Sequence, residues 1–190
     1  MQATRDSLVG QGYPGTDLRE CPSSVKRFSD GAQYRIEIPS TEGPACFRAL
    51  LEEAKMRAVP VHRVSQGSGI MLLTDDEILE MVELGRNNAI EVNLFVGPRA
   101  SFDIGAQATS DAGRSIALSL RGADQVVFAL EDVKRAIELG IESILVSDLG
   151  LLAVMGVMKQ AGELPSELII KTSVMMAPAN PASARVLEDL

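Results

Sequence analysis

The sequence lacks the features that mark membrane and secreted proteins. Its longest apolar run, 149–158, is interrupted by Gly150 and Gly156 and is shorter than the roughly 20 residues that a membrane span needs. No basic segment followed by an apolar stretch occurs near the N-terminus, so a secretory signal is not predicted. We therefore expect a cytoplasmic protein with no membrane partner.

Cysteine, histidine and blocks of basic residues are also scarce. Cys21 and Cys46 cannot form a zinc site unaided, and we interpret both as ordinary residues of a reducing compartment, with a disulfide as the alternative. The formal net charge of −8 argues against a nucleic-acid partner, because phosphate backbones bind surfaces rich in Lys and Arg. The single histidine, His62, lies on the predicted helix-facing side of its strand, which indicates a core residue rather than a ligand.

What the sequence does contain is an alternation of strands and helices. Residues 1–33 carry Gly and Pro among mixed charges without a sustained period, so we predict an irregular N-terminal arm. From residue 34 to 190, short strands rich in β-branched residues alternate with amphipathic helices. The predicted strands are 34–39, 61–66, 90–96, 143–148 and 168–176.

Helix starts support this division. Thr74, with Glu77 three residues later, has the pattern of a capping box. Asn180 followed by Pro181 has the pattern of a capped start for the last helix. Strands that alternate with helices in this way predict the α/β class with a parallel sheet.

Polar residues at every second strand position favour one version of that class. The pairs that share a strand face are Arg35 and Glu37, Arg63 and Ser65, Glu91 and Asn93, and Lys171 and Ser173. One polar and one apolar face suits a parallel (β/α) barrel of the TIM type, whose lumen lines an active site. An open doubly wound sheet is the alternative. Since a complete barrel has eight units and about 250 residues, the five units predicted here are expected to form an incomplete one.

The strand ends supply the candidate catalytic residues, because functional groups of barrels lie at the C-terminal ends of strands. We predict Glu37, Asp148 and Lys171 as catalytic. Glu37 and Asp148 could act as general base and acid, or hold a divalent metal ion. No other cofactor is evident. Lys171 could alternatively form a Schiff base, as in barrel aldolases or lyases.

An anionic substrate is predicted from the cations Arg35, Arg63 and Lys171, since a buried cation needs an anionic partner. The alternative is an internal salt-bridge network that these cations form with Glu37 and Glu91. Substrate-binding residues are accordingly predicted to be Arg35, Arg63, Ser65, Asn93 and Ser173.

The turn Gly67-Ser68-Gly69 precedes a predicted helix and could cradle a phosphate through its backbone N–H groups. It lacks the patterns of nucleotide-binding loops, and a simple tight turn is the more conservative interpretation.

Residues 140–190 carry a family resemblance. A strand runs into Ser147-Asp148-Leu149-Gly150, and a helix and a strand with Ser173 follow, then Asn180 and a helix containing Ala-Arg-Val-Leu-Glu. This stretch resembles the collagenase-like peptidases, also called peptidase family U-32. The positions that match are Asp148, Gly150, Ser173 and Asn180. The resemblance implies a TIM-type barrel and a hydrolase.

Some members of that wider group use an iron–sulfur cluster held by cysteines, and this chain departs from them because it has no cysteine cluster. The leading hypothesis is therefore a barrel hydrolase acting on a small or extended anionic substrate. A non-catalytic barrel fragment that associates with a partner chain is the alternative from another class. Because an incomplete barrel exposes sheet edges, we also expect a homo-oligomer.

Overall fold

The computed structural model describes residues 1–20, 23–99, 110–111, 113 and 118–190. The chain divides into two units, Arg35–Met176 and a second one formed by Met1–Tyr34 with Ala177–Leu190. The strands that the structure describes all lie in the Arg35–Met176 unit, which therefore carries the candidate site residues.

The larger unit contains a five-stranded, all-parallel sheet whose strands are ordered along the sheet as they are along the chain. This confirms the predicted α/β class with a parallel sheet. The described strands are β1 (Glu37–Ile38), β2 (Arg63–Gln66), β3 (Glu91–Phe95), β4 (Ser143–Val146) and β5 (Ile169–Thr172).

Helices follow the strands at the predicted positions. Thr74 forms the predicted capping box with Glu77, and Asn180 caps the last helix through Ser183. No helix among the described residues is long and apolar enough to cross a membrane. The helices are α1 (Gln2–Gly10), α2 (Pro44–Met56), α3 (Asp75–Asn88), α4 (Gly122–Glu138), α5 (Leu149–Gln160) and α6 (Pro181–Asp189).

The core of the larger unit lies between the apolar strand positions and the helices. Val64, Leu94 and Ile144 are fully buried, and they alternate along their strands with the polar residues. In the helical layer, α2 contacts α3 and α4 contacts α5. Gly85 lets α3 approach β3 closely, because a Cβ at this position would lie 2.7 Å from the carbonyl oxygen of Ile90.

Two predictions about elements were wrong in detail. The arm 1–33 is not irregular throughout, because Gln2–Gly10 form α1, where Gln2 donates to Asp6 one turn on. Residues 2–9 contain no Gly or Pro that would interrupt a helix. The last strand ends at Thr172 rather than at residue 176. Its ladder continues as far as the Ser173 N–H, which donates to Val146, and the chain then enters a 3-10 turn at Val174–Met176.

Candidate functional site

One face of the sheet gathers polar side chains from all five strands, as the alternation predicted. We call this group the polar cluster. It contains five predicted site residues, and its members are Glu37, Arg63, Ser65, Glu91, Asn93, Ser143 and Lys171.

Arg63 lies between two carboxylates at the start of β2. Its Nη1 is 3.5 Å from Oε2 of Glu37, while Nε and Nη2 lie 2.8 Å from the two oxygens of Glu91. The register explains this geometry, because Glu37, Arg63 and Glu91 are direct partners across β1, β2 and β3. The three side chains remain between 20% and 26% exposed, so solvent reaches them.

Three neutral polar side chains form a buried row beside these charges. The Ser65 hydroxyl donates to Oε1 of Glu37 at 2.6 Å and lies 3.3 Å from the amide oxygen of Asn93. Asn93 in turn donates to the Ser143 hydroxyl at 2.6 Å. All three residues are buried, so these hydrogen bonds satisfy groups that would otherwise be costly to bury.

Lys171 on β5 donates a hydrogen bond to Glu37 on β1, although these strands are at opposite edges of the sheet. In a flat sheet, four strand spacings would place β1 and β5 about 19 Å apart. A Glu and a Lys side chain cannot span that distance. The sheet is therefore strongly curved, and the polar cluster lies on its concave face.

The electrostatics of the cluster favour charged side chains. Burial alone would raise the pKa of Glu37, but hydrogen bonds from Lys171 and Ser65, with the positive charges of Lys171 and Arg63, outweigh it and lower that pKa. For Arg63, burial is outweighed by Glu91 and Glu37, which raise the pKa of the guanidinium. Glu37 is consequently a carboxylate, and Arg63 a cation, at neutral pH.

Asp148 does not join the polar cluster. Its Oδ1 accepts the backbone N–H of Leu151 at 2.8 Å as the cap of α5, and its Oδ2 accepts that of Leu120 at 2.9 Å. Both oxygens are thus used by backbone donors, which fix the segment before α4 against the end of β4. These contacts of Asp148 do not include Glu37. They therefore do not support the prediction that the two carboxylates act together, as base and acid or as metal ligands.

A capping role for Asp148 predicts which substitutions are tolerated. Asp148→Ala is expected to lower the free energy of unfolding by about 1–2 kcal/mol, since it removes a helix cap and a second backbone acceptor. Asp148→Asn keeps an acceptor and should recover at least half of that loss. Urea denaturation of the three proteins tests this, and an alanine variant as stable as the parent would contradict the capping role.

The remaining predicted residues hold the backbone or flank the sheet. The Ser173 hydroxyl accepts the N–H of Met175 at 3.2 Å in the turn after β5. Arg35 is half-buried just before β1. His62 is also half-buried, and its Nδ1 accepts the N–H of Ile36 at 3.0 Å, which suits the structural role predicted for it.

The turn Gly67-Ser68-Gly69 does bind an anion, but the anion belongs to the chain itself. The carboxylate of Glu42 accepts the N–H groups of Gly67 at 3.2 Å and Ser68 at 3.0 Å, together with the Ser68 hydroxyl. Arg99, which stacks on the Phe95 ring at 4.6 Å, donates to the Gly67 carbonyl. These contacts join the loops that follow β1, β2 and β3.

In the described part of the chain, no group of three or more His, Cys, Asp or Glu side chains is arranged to hold a metal ion. Cys46 is an exposed free thiol, and Cys21 lies outside the described residues. A divalent metal ion at Glu37 therefore remains a prediction.

Sequence reasoning missed two kinds of residue. Ser143 belongs to the polar cluster although it is the first residue of its strand. Its position opposite Asn93 is set by the register between β3 and β4, which the sequence alone does not specify. Asp132 on α4 is largely buried, but its surroundings in the sequence, Glu131-Asp132-Val133-Lys134-Arg135, resemble a solvated helix face.

Comparison with family models found none that matches the chain, and comparison with curated proteins likewise found no match. The resemblance to the collagenase-like peptidases therefore rests on the residues quoted above. Of the four matching positions, Asp148 and Asn180 cap helices and Ser173 holds a turn.

Proposed function

We propose that the sheet is of the TIM-barrel type and that the chain is a hydrolase of the collagenase-like peptidase kind, acting on an anionic substrate. The main observation that supports the proposal is the contact between Lys171 and Glu37. This contact brings charged side chains from opposite edges of the sheet together on one concave face. The sequential strand order also supports a barrel, since right-handed crossovers then place every connecting helix on the same side.

The register of the strands supports a barrel quantitatively. Two rows of partners cross the sheet: Glu37–Arg63–Glu91 and, two residues further along β3, Asn93–Ser143–Ile169. If the row that contains Glu37 is continued across β4, it reaches residue 167 in the segment that leads into β5, two residues before Ile169. Lys171 lies four residues beyond that level, after four steps between strands. A shift of about one residue per strand is the stagger of an eight-stranded barrel with a shear of 8.

The same stagger groups Glu37, Asn93 and Lys171 into one layer of side chains from alternate strands, as barrel interiors are built. Ser173 lies two layers closer to the C-terminal mouth, because the layer between is supplied by the even-numbered strands. The cluster thus occupies the middle of the lumen, rather than the strand ends where the sequence placed it. Since Lys171 is 27% exposed and Glu37 is 23% exposed, a group that enters from the mouth can reach them.

Glu37 has the properties of a general base in this arrangement. Its lowered pKa keeps it ionised at neutral pH, so it can accept a proton from an attacking water. Lys171 and Arg63 supply two cations beside it, which can hold an anionic substrate group or a developing oxyanion. Ser65 donates to the carboxylate from the buried side, and its hydroxyl also contacts the amide oxygen of Asn93.

The aldolase alternative has less support from the contacts. A Schiff-base lysine must have its Nζ free to attack a carbonyl, whereas Nζ of Lys171 is engaged in a hydrogen bond to the Glu37 carboxylate. The internal-network alternative accounts for the same ion pairs without a substrate. The internal-network alternative and the proposal differ in whether the cluster is catalytic. Each variant therefore has to be assayed for both turnover and folding.

The test uses Glu37→Gln and Lys171→Met in the full chain, assayed on a mixture of acidic peptides by mass spectrometry. We expect each to lower turnover at least 100-fold while the circular dichroism spectrum stays unchanged. Glu53→Gln and Arg57→Met are matched controls, because this ion pair lies on the surface of α2, away from both sites. Hydrolysis within threefold of the parent in both cluster variants would overturn the proposal, as would the absence of peptide cleavage by the parent protein.

A further inference from the structure

A second polar feature lies away from the polar cluster, in a groove beside α4. The groove has a volume of about 430 Å³ and is lined by Met71, Pro98, Phe128, Asp132 and Arg135, together with Glu131. It lies between α4 and the loops that follow β2 and β3. In α/β proteins, the loops after the strand C-termini are the usual place for ligands.

Asp132 is the unusual member of this groove. Its side chain is 12% exposed, and its Oδ1 lies 3.8 Å from Nη1 of Arg135. Its Oδ2 is buried and has no hydrogen-bond partner among the described residues. A buried carboxylate oxygen without a donor is rare in folded proteins and is costly when ionised.

Arg135 does not satisfy that carboxylate, because its guanidinium is engaged elsewhere. Nε and Nη2 lie 2.7 and 2.6 Å from Oδ1 of Asp75, and Nη2 also donates to the Leu73 carbonyl at 2.8 Å. Two further carboxylates lie near this groove, Asp75 paired with Arg135 and the lining residue Glu131 paired with Lys134, so three negative charges stand against two positive ones. The local balance is negative and favours a cation.

The apolar side of the groove is exposed. Phe128 is 61% and Met71 46% exposed, although residues of this type are usually buried. Phe128 precedes Asp132 by one helical turn, so the ring and the carboxylate lie on one stripe of α4. An aromatic ring and a thioether beside a carboxylate suit an ammonium group on an alkyl stem.

We propose that this groove binds a primary alkylammonium group, such as a lysine side chain of a peptide, whose N–H donates to Oδ2 of Asp132. The alkyl stem packs against Phe128 and Met71. Because Oδ2 is buried, binding requires a rotamer change in the groove, which the exposed Met71 and Phe128 side chains permit. The site does not depend on the hydrolase proposed above.

The protonation of Asp132 supports this inference. Burial, against the opposing effects of Arg135 and the Met71 N–H, raises the pKa of Asp132 to about 6. A cation that donates to the carboxylate stabilises its ionised form. Binding should therefore weaken as the pH falls below 6, by about tenfold for each further pH unit.

The test titrates hexylammonium chloride into the full chain at pH 7.5 and follows the Met71 methyl signal by NMR, assigned with Met71→Leu. We expect binding at least tenfold tighter than that of the uncharged isostere hexanol. Asp132→Asn should weaken hexylammonium binding at least tenfold, and Phe128→Ala severalfold. Glu138→Gln is the matched control, since it removes one negative charge from an exposed position of the same helix and should change nothing.

Two outcomes would overturn the inference. Equal affinity for hexylammonium and hexanol would show an apolar groove without recognition of charge. Unchanged hexylammonium affinity in Asp132→Asn would show that the carboxylate is not the binding group. Both readings are independent of peptide hydrolysis, so they remain decisive whether or not the chain is a hydrolase.

Discussion

Arg63→Met is expected to lower the free energy of unfolding by about 2–3 kcal/mol at pH 7. The reason is that Arg63 separates the carboxylates of Glu37 and Glu91, and Glu91 has no other ion pair in the part of the chain that the structure describes. Breaking a fully buried ion pair costs about 3–5 kcal/mol. Since these side chains are 20% to 26% exposed, solvent screening reduces the cost.

The pH dependence of this loss has a defined sign. The folded protein lowers the pKa of Glu37, so its ionised carboxylate contributes stability above the ordinary pKa of a glutamate, and that contribution is lost as the pH falls. Without Arg63 the contribution is smaller, and the gap between variant and parent should narrow toward pH 4. Urea denaturation at pH 4 and pH 7 measures both gaps.

Arg57→Met is the control for this experiment. Arg57 pairs with Glu53 at 2.5 Å one helical turn away, but its side chain is 71% exposed. An exposed pair of this kind contributes less than about 0.5 kcal/mol. If Arg63→Met were as mild as Arg57→Met, the ion pairs of the polar cluster would not stabilise the sheet.

Asp132→Asn is expected to have the opposite effect and to raise the free energy of unfolding by about 1–3 kcal/mol at pH 7.5. With its pKa raised to about 6, folded Asp132 holds its proton more tightly than an unfolded aspartate does. Stability therefore falls as the pH rises from the unfolded pKa through the folded one. Asparagine is neutral at every pH in this range and avoids this loss.

The size of the gain follows from the displaced pKa. A shift of one unit corresponds to about 1.4 kcal/mol, so a displacement of roughly two units sets an upper value of about 3 kcal/mol. The gain should shrink as the pH is lowered from 7.5 toward 4.5, because the parent then becomes neutral at this site. A gain that is independent of pH, or a loss at pH 7.5, would contradict the burial of an ionised Asp132.

The fold class could be predicted from the sequence because its signals are local. Thr74 with Glu77, and Asn180 with Pro181, mark helix starts within four residues, and both caps are present in the structure. The alternation of polar and apolar residues in a strand also predicts one polar and one apolar sheet face, since neighbouring side chains of a strand point to opposite faces. The grouping of Glu37, Arg63, Ser65 and Asn93 follows from that rule.

The exact contacts of the site could not be predicted in the same way. Which polar residues meet depends on register and curvature, which set Asn93 against Ser143 and Lys171 against Glu37. Asp148 had the residue type and the strand-end position of a catalytic acid. Its φ of −112° and ψ of 127°, with the N–H of Leu151 in reach, instead make it a helix cap.

Asp132 shows a different limit. Four of the five residues from Glu131 to Arg135 are charged, a composition that predicts an exposed helix surface. The burial of Asp132 arises from the packing of α4 beside Met71 and Pro98, which are 61 and 34 residues earlier in the chain. A helical pattern by itself contains no information about such a neighbour.

The curvature of the sheet is what brings Glu37 of β1 and Lys171 of β5 into contact. A double-mutant cycle with Glu37→Gln, Lys171→Met and the double variant, each measured by urea denaturation at pH 7, tests it most directly. We expect a coupling free energy of about 1–2 kcal/mol between the two positions. Additivity within about 0.3 kcal/mol, as expected for side chains on opposite edges of a flat sheet, would contradict it.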